Sequence, residues 1–233
     1  MGHRPDRAGS PRSDPLRHQG DDGVTGMERP RPLQNRVQPT GEIAALPVRG
    51  LFTGNRGILH RPDGTLGTAR WRHPHWLICA LSFRDRYHGP TPARGWTALF
   101  FLDEAVALAA GHRPCHECRR PAARAFRAAW EAAQGPLRGL PDIDPVLHKA
   151  RVRRNRTQVR FRTDIRQLPP GTMILLDTGP ALLLPDRLCP YAPAGYGLPQ
   201  PRPGAGPVTV LTPAPTVAAL AAGYCPVLHP TAG

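Results

Sequence analysis

Hydrophobic and polar positions alternate along this chain in a few distinct blocks. Residues 76–83, Trp-Leu-Ile-Cys-Ala-Leu-Ser-Phe, are almost wholly apolar and predict a central strand. On it Leu77, Cys79, Leu81 and Phe83 share one face, and Trp76, Ile78 and Ala80 the other. Residues 97–101 predict a second strand. Asp103 then suits a helix N-cap, Val106, Ala109 and Ala110 recur at helical spacing, and Gly111 supplies a stop. A second helix follows Cys118, with Pro121 in its first turn and Ala122, Phe126 and Trp130 as its apolar stripe. Arg120, Arg124 and Arg127 line its other side at i, i+4, i+7, and Gln134-Gly135-Pro136 ends it.

Further on, Val159, Phe161 and Ile165 alternate with Arg160, Arg162 and Arg166, the mark of a strand with a basic outer face. Residues 173–177 and 181–184 flank Thr178-Gly179-Pro180 and predict a hairpin. Arg61-Pro62-Asp63-Gly64 reads as a turn, and residues 190–207 as a loop rich in Pro, Gly and Tyr. Residues 1–42 show no period and too little apolar surface to offset chain entropy, which predicts a disordered tail; Met27 offers a second start. The fold class expected is α+β: a small antiparallel or mixed sheet with short helices. Its N-terminal lobe spans 43–135, a linker 136–145, and a β-rich C-terminal lobe 146–230.

The C-terminal lobe ends on an echo of the first. Thr97-Ala-Leu before Val106-Ala-Leu-Ala-Ala-Gly-His-Arg-Pro matches Thr209-Val-Leu before Ala218-Ala-Leu-Ala-Ala-Gly-Tyr-Cys-Pro at one offset. Either an old duplication left a degenerate strand-helix-turn unit, or two Ala-rich helices resemble each other.

Charge changes the picture. Lys and Arg number 31 against 17 Asp and Glu, a formal net charge of +14 carried almost entirely by Arg. Such an excess favours phosphate-bearing partners, nucleic acid above all, although an Arg-rich coding bias would also produce it. No apolar run reaches the ~18–20 residues of a membrane span, and no signal-peptide pattern opens the sequence. A cytoplasmic protein without membrane partners is the expectation.

Five cysteines occur, at 79, 115, 118, 189 and 225. An odd number with one close pair argues against a disulfide framework and for metal binding. Cys115-His116-Glu117-Cys118 fits a zinc half-site or a redox pair. The pair follows a helix and a glycine stop rather than opening a helix after a buried strand, which disfavours redox use. No His-x-Glu or Cys-x-Glu precedes it, so the zinc-deaminase signature is incomplete.

Residues 104–118 resemble the zinc-binding domain of the Ada DNA-repair family. That family carries Glu-Ala, Ala-Ala-Gly, an aromatic residue and Arg-Pro-Cys-x-x-Cys; here stand Glu104, Ala105, Ala109, Ala110, Gly111, His112, Arg113, Pro114, Cys115 and Cys118. Upstream, Gly57-Ile58-Leu59-His60-Arg61-Pro62-Asp63-Gly64 is similar to the segment around the family's first two ligands. The likeness covers roughly residues 50–130. It implies a zinc scaffold and a surface for DNA phosphates. In that family four cysteinates hold zinc, and one accepts a methyl group from a DNA phosphotriester. His60 and Gly64 occupy the positions of the first pair, which implies that methyl-acceptor activity is lost.

A structural zinc needs four ligands. Cys115 and Cys118 are two, and His60 is a third by the resemblance. Cys79 is the candidate fourth; alternatively it is a small buried hydrophobe. His73, His75 and His116 stand in reserve, and Cys189 and Cys225 read as spectators. Arg113, Arg119, Arg120, Arg124, Arg127, Arg160 and Arg162 are the candidate phosphate contacts. The leading expectation is a zinc-stabilised DNA-binding protein without catalytic residues. The alternatives are a zinc enzyme using water or an alkyl-accepting thiolate, and a zinc-stapled interaction module.

Overall fold

The computed structural model describes residues 32–84, the backbone of 86–87, and residues 96–233. Residues 31–233 form one compact unit. The expected tail lies outside the described residues up to 31, but order begins before 43. Gln34–Val37 is a strand (β1), and it pairs antiparallel with Ile43–Ala45 (β2) across a tight turn at Gly41, φ +83°.

Phe52–Asn55 (β3) and Leu77–Ala80 (β4) pair antiparallel, from Phe52 opposite Ala80 to Asn55 opposite Leu77. The strand expected over 76–83 stops at Ala80. Ser82–Phe83 (β5) then forms its own short ladder with Arg86–Tyr87 (β6). Leu99–Phe101 (β7) leads into Glu104–Ala109 (α1), capped as expected by Asp103, whose carboxylate accepts from Val106 N. Every residue of α1 is buried, and it packs against β7 on one side and against a strand from residues 173–176 on another. After Gly111 the chain forms Arg113–Pro114 (β8) and then Arg120–Gln134 (α2). The first sheet runs β2-β1-β7-β3-β4-β8.

Helix α2 buries Ala123, Phe126, Ala129 and Trp130. The expected stripe is thus right at Phe126 and Trp130 and one residue off at Ala122. Each of the two aromatics contributes about 2–3 kcal/mol by leaving water. Gly135, at φ +95°, ends the helix.

The expected linker is instead structured. A 3-10 turn at Leu140–Asp142 runs into Ile143–Arg151 (α3), with Ile143 and Leu147 fully buried. Pro145 sits in its first turn, where no backbone donor is lost.

The second sheet contains Phe161–Asp164 (β9), Met173–Leu176 (β10), Gly179–Leu183 (β11), Arg187–Ala192 (β12), Gly195–Tyr196 (β13), Gln200–Pro201 (β14) and Pro207–Val210 (β15). Its order is β13-β12-β11-β10-β15-β9, with β14 on β12. The β10–β11 hairpin forms as expected, but its turn is Asp177-Thr178: Gly179 and Pro180, expected in the turn, already belong to β11, with Leu176 opposite Gly179. The region expected as a loop over 190–207 holds the end of β12 and short strands. The expected basic strand shortens to β9, because residues 165–167 turn into a 3-10 helix.

Ala214–Ala221 (α4) packs against α2 and α3. The two lobes expected from sequence share one core: Phe101 and Leu108 lie in the same buried cluster as Met173, Leu182 and Leu220. The fold is α+β, with two large mixed or antiparallel sheets, the two-stranded β5–β6 ladder and four α-helices among the described residues. None of those helices is long and apolar enough to cross a membrane.

The internal echo is real at the helix end and absent at the strand. Gly111 N donates to Leu108 O and His112 N to Ala107 O; Gly223 N donates to Leu220 O and Tyr224 N to Ala219 O. Both glycines have positive φ, +84° and +99°. At the offset that superposes them, however, β7 falls on residues 211–213, beyond the end of β15.

Candidate metal centre

Three cysteine sulfurs come together where β4 and β8 lie side by side. The strands pair parallel, Leu77 opposite Arg113 and Ile78 opposite Pro114, and Cys115 N donates to Ile78 O at 2.9 Å. Beyond Pro114 the chain leaves the sheet in a tight turn, closed by Arg119 N on Cys115 O at 3.1 Å. The next donor along the edge of β4, Ala80 N, therefore meets sulfur instead of a carbonyl: it lies 3.4 Å from Cys118 Sγ. That exchange explains why β4 ends there.

The sulfurs of Cys79, Cys115 and Cys118 all lie within 4.8 Å of one another. Sulfurs held tetrahedrally at Zn–S ≈ 2.3 Å would be about 3.8 Å apart, so the spacing suits a metal of that size. These three residues could hold a metal ion. Cys115 is held well below the ordinary thiol range by hydrogen bonds from the Cys118 and Cys79 thiols, then by the backbone N–H groups of Cys118 and Glu117. Cys79 and Cys118 are pushed up, chiefly because each shares its proton with Cys115. One thiolate and two proton donors are thus packed together, and a cation could take the place of both protons.

A cavity of about 280 Å³ opens on the trio, lined among others by Asn55, Phe83, Arg84 and Glu117. No fourth His, Cys, Asp or Glu among the described residues joins the cluster. His60, expected as a ligand, sits at the turn before Leu66, and its Nε2 lies 3.2 Å from Gln34 O. The Arg61–Gly64 turn is as expected, with Gly64 N on Arg61 O, but it belongs to the β1 side of the sheet. His75 contacts Asp144 at 2.6 Å, and His116 is exposed. Cys189 is not a loop residue but a core side chain on β12, fully buried, whereas Cys225 is exposed.

The arginines beside the cysteines have a different task from the one their sequence suggests. Arg113 donates from Nε to Asp144 Oδ1 at 2.8 Å and from Nη2 to Oδ2 at 2.7 Å, with both side chains buried. Arg119 donates to both Glu104 oxygens, at 2.7 and 2.9 Å, and stacks 4.1 Å from the Phe52 ring centroid. Both guanidiniums are thus turned inward onto buried carboxylates. These are internal clamps, one on each side of the Cys-x-x-Cys turn, tying it to α3 and to α1. Arg127 is also partly engaged, with Glu131 at 2.9 Å and Leu137 O. Arg120, Arg124, Arg160 and Arg162 are exposed.

Sequence reading missed Asp144, the acceptor of one clamp. The signal was present in the i, i+4, i+8 spacing of Ile143, Leu147 and Arg151, masked by Pro145. It also missed Arg56 and Arg151, which burial has removed from the surface.

No family model, curated protein or solved structure matches the chain.

Proposed function

We propose that Cys79, Cys115 and Cys118 bind one zinc ion, and that the protein is a zinc-stabilised nucleic-acid-binding protein of Ada-like ancestry without methyl-acceptor activity. The convergence of the three sulfurs carries this reading. Soft thiolate donors at this spacing select zinc over magnesium or calcium. Bound there, zinc would fix the turn between β8 and α2. His60 is dropped from the ligand set and Cys79 retained. Exposed Arg120 and Arg124 on α2 and Arg160 and Arg162 at β9 replace the buried Arg113 and Arg119 as the phosphate contacts.

Elemental analysis of the purified full chain tests the metal: about one zinc per chain is expected, lost in Cys79→Ser and Cys115→Ser and kept in His60→Ala. Nucleic-acid contact is tested by the salt dependence of duplex DNA binding. Neutralising several phosphates makes affinity fall steeply between about 50 and about 200 mM salt. A flat dependence, or unchanged binding in an Arg120→Gln/Arg124→Gln/Arg162→Gln variant, would sink the nucleic-acid part and leave the zinc part standing.

The cavity against the trio favours a second reading, in which a thiolate at the open side accepts an alkyl group. Incubation with methylated DNA followed by peptide mass spectrometry decides it: added methyl on Cys79, Cys115 or Cys118 is required.

A further inference from the structure

Away from the cysteines, the largest cavity among those described, about 660 Å³, lies where the β1–β2 turn, the segment after β3 and the end of α3 meet. Its wall holds Arg56, Arg70, Arg151, Arg156 and Arg160, with the indoles of Trp71 and Trp76, and a single acidic residue, Glu42, which is exposed.

Arg56 and Arg151 are each 2% exposed. Their guanidinium carbons lie 3.8 and 3.9 Å from the Trp76 ring centroid. Neither makes an ion pair with a carboxylate among the described residues. Asp144, on the same helix as Arg151, is committed to Arg113 and His75. Arg56 donates only through Nε, to His112 Nε2 at 3.0 Å, and its Nη2 has no partner. Arg151 donates to Gly111 O and Pro74 O and lies 2.9 Å from His148 Nδ1, all neutral partners, while its Nε has none. Burial with a like charge nearby brings Arg56 down to about 9 and Arg151 to about 8. A buried cation without a counter-charge costs several kcal/mol even after relaxation. Two of them around one indole is the electrostatic signature of a site completed by an anion.

The rim points to the same ligand. Arg70 and Arg156 each use Nη1 alone, on Gly67 O and more weakly Ala69 O and on Thr68 O respectively, and both line the cavity. Guanidinium forks match phosphate oxygens in pairs, which favours phosphate over a halide or a lone carboxylate. The volume is in the range of pockets that enclose small organic ligands. Half-buried Trp71, 5.7 Å from Trp76 centroid to centroid, offers a ring on which a planar group can stack.

We propose that this cavity binds a nucleotide unit, its phosphate neutralising Arg56 and Arg151 between the arginines of the rim and its base against Trp71. The site shares no residue with the cysteine cavity and does not depend on the zinc reading.

The test uses the full chain with its metal in a chloride buffer. Adenosine, inorganic phosphate, AMP and a short oligodeoxynucleotide lacking terminal phosphates are titrated in turn, read by tryptophan fluorescence and by Tm. AMP should bind and raise Tm, phosphate should do so more weakly, and adenosine should do neither. Arg56→Met and, should that variant not fold, the surface variant Arg156→Gln should each weaken AMP binding by at least about tenfold, the worth of one charge-assisted contact. An oligonucleotide that displaces AMP assigns the unit to a strand; one that binds without displacing it assigns the site to free nucleotides. The proposal falls if neither phosphate nor AMP alters the protein, or if AMP binds equally to wild type and both variants.

Discussion

Arg113 grips Asp144 with two parallel hydrogen bonds inside the protein, two residues before Cys115 begins its turn. The pair joins the shortest strand of the first sheet to a helix 31 positions away, so the turn's position depends on a charge that water never reaches.

Removing one member should therefore be costly. Asp144→Ala is expected to destabilise the protein by about 3–5 kcal/mol, since it strands a buried guanidinium. An apolar double replacement, Arg113→Met with Asp144→Leu, should cost less than Asp144→Ala alone. Urea unfolding of the three proteins checks the order; a larger loss in the double variant would refute it.

Metal removal should act on the whole fold rather than on a local loop, because β4, β8 and α2 all meet at the trio. Zinc at a hundredfold above its Kd adds about 2.7 kcal/mol of stability. Chelation should lower Tm accordingly in wild type and in Cys189→Ala, and have no effect in Cys118→Ser. A Tm insensitive to chelator in zinc-loaded wild type would contradict this.

His112 provides a pH signature. Burial holds its folded pKa well below 6.5, and Arg56 and Arg151 push it the same way. In the unfolded chain the ring protonates near pH 6.5, while in the fold it stays neutral, so the unfolded state binds the extra proton. Stability from this residue is complete above pH 6.5 and is lost as pH falls below it. His112→Phe should flatten that slope between pH 7 and pH 5. It should also cost about 2 kcal/mol at pH 7, because Arg56 Nε loses its acceptor. Denaturant midpoints across that range give both numbers.

The paired helix stops allow an internal comparison. A Cβ on Gly111 would lie 2.7 Å from Arg151 Cβ, whereas one on Gly223 would meet nothing within 4 Å. Gly223→Ala should cost only the left-handed backbone strain, about 1 kcal/mol. Gly111→Ala should cost more, because Arg151 must move. Equal losses in thermal unfolding would show that Arg151 yields freely.

Local signals were legible where one residue's chemistry decides the outcome. The Asp103 cap, the glycine stops, the Phe126 and Trp130 stripe and the β10–β11 hairpin could all be read, as could Cys115 and Cys118. Cys79 could be named but not chosen over His60, because strand pairing, not spacing, brings it to the pair. The arginines misled for a related reason. A basic residue beside a cysteine looks the same in sequence whether it faces solvent or a carboxylate, and Glu104 and Asp144 are 15 and 31 positions from their partners. α3 was lost because Pro145 was taken to end order when it sits in a first turn.

Glu104 has further partners that extend this logic. Besides Arg119 it accepts from Tyr224 and from Val227 N, and Asp103 accepts from Tyr196 and His229 N. Of these four further bonds, three come from residues 120 or more positions later and the fourth from Tyr196, 93 positions on. During synthesis the cysteines emerge long before those partners do. Closing so wide a loop is entropically slow. The full set of partners around Glu104 is present only when almost all of the described chain has been made, so the Cys115 and Cys118 thiols wait through nearly half of the sequence for it.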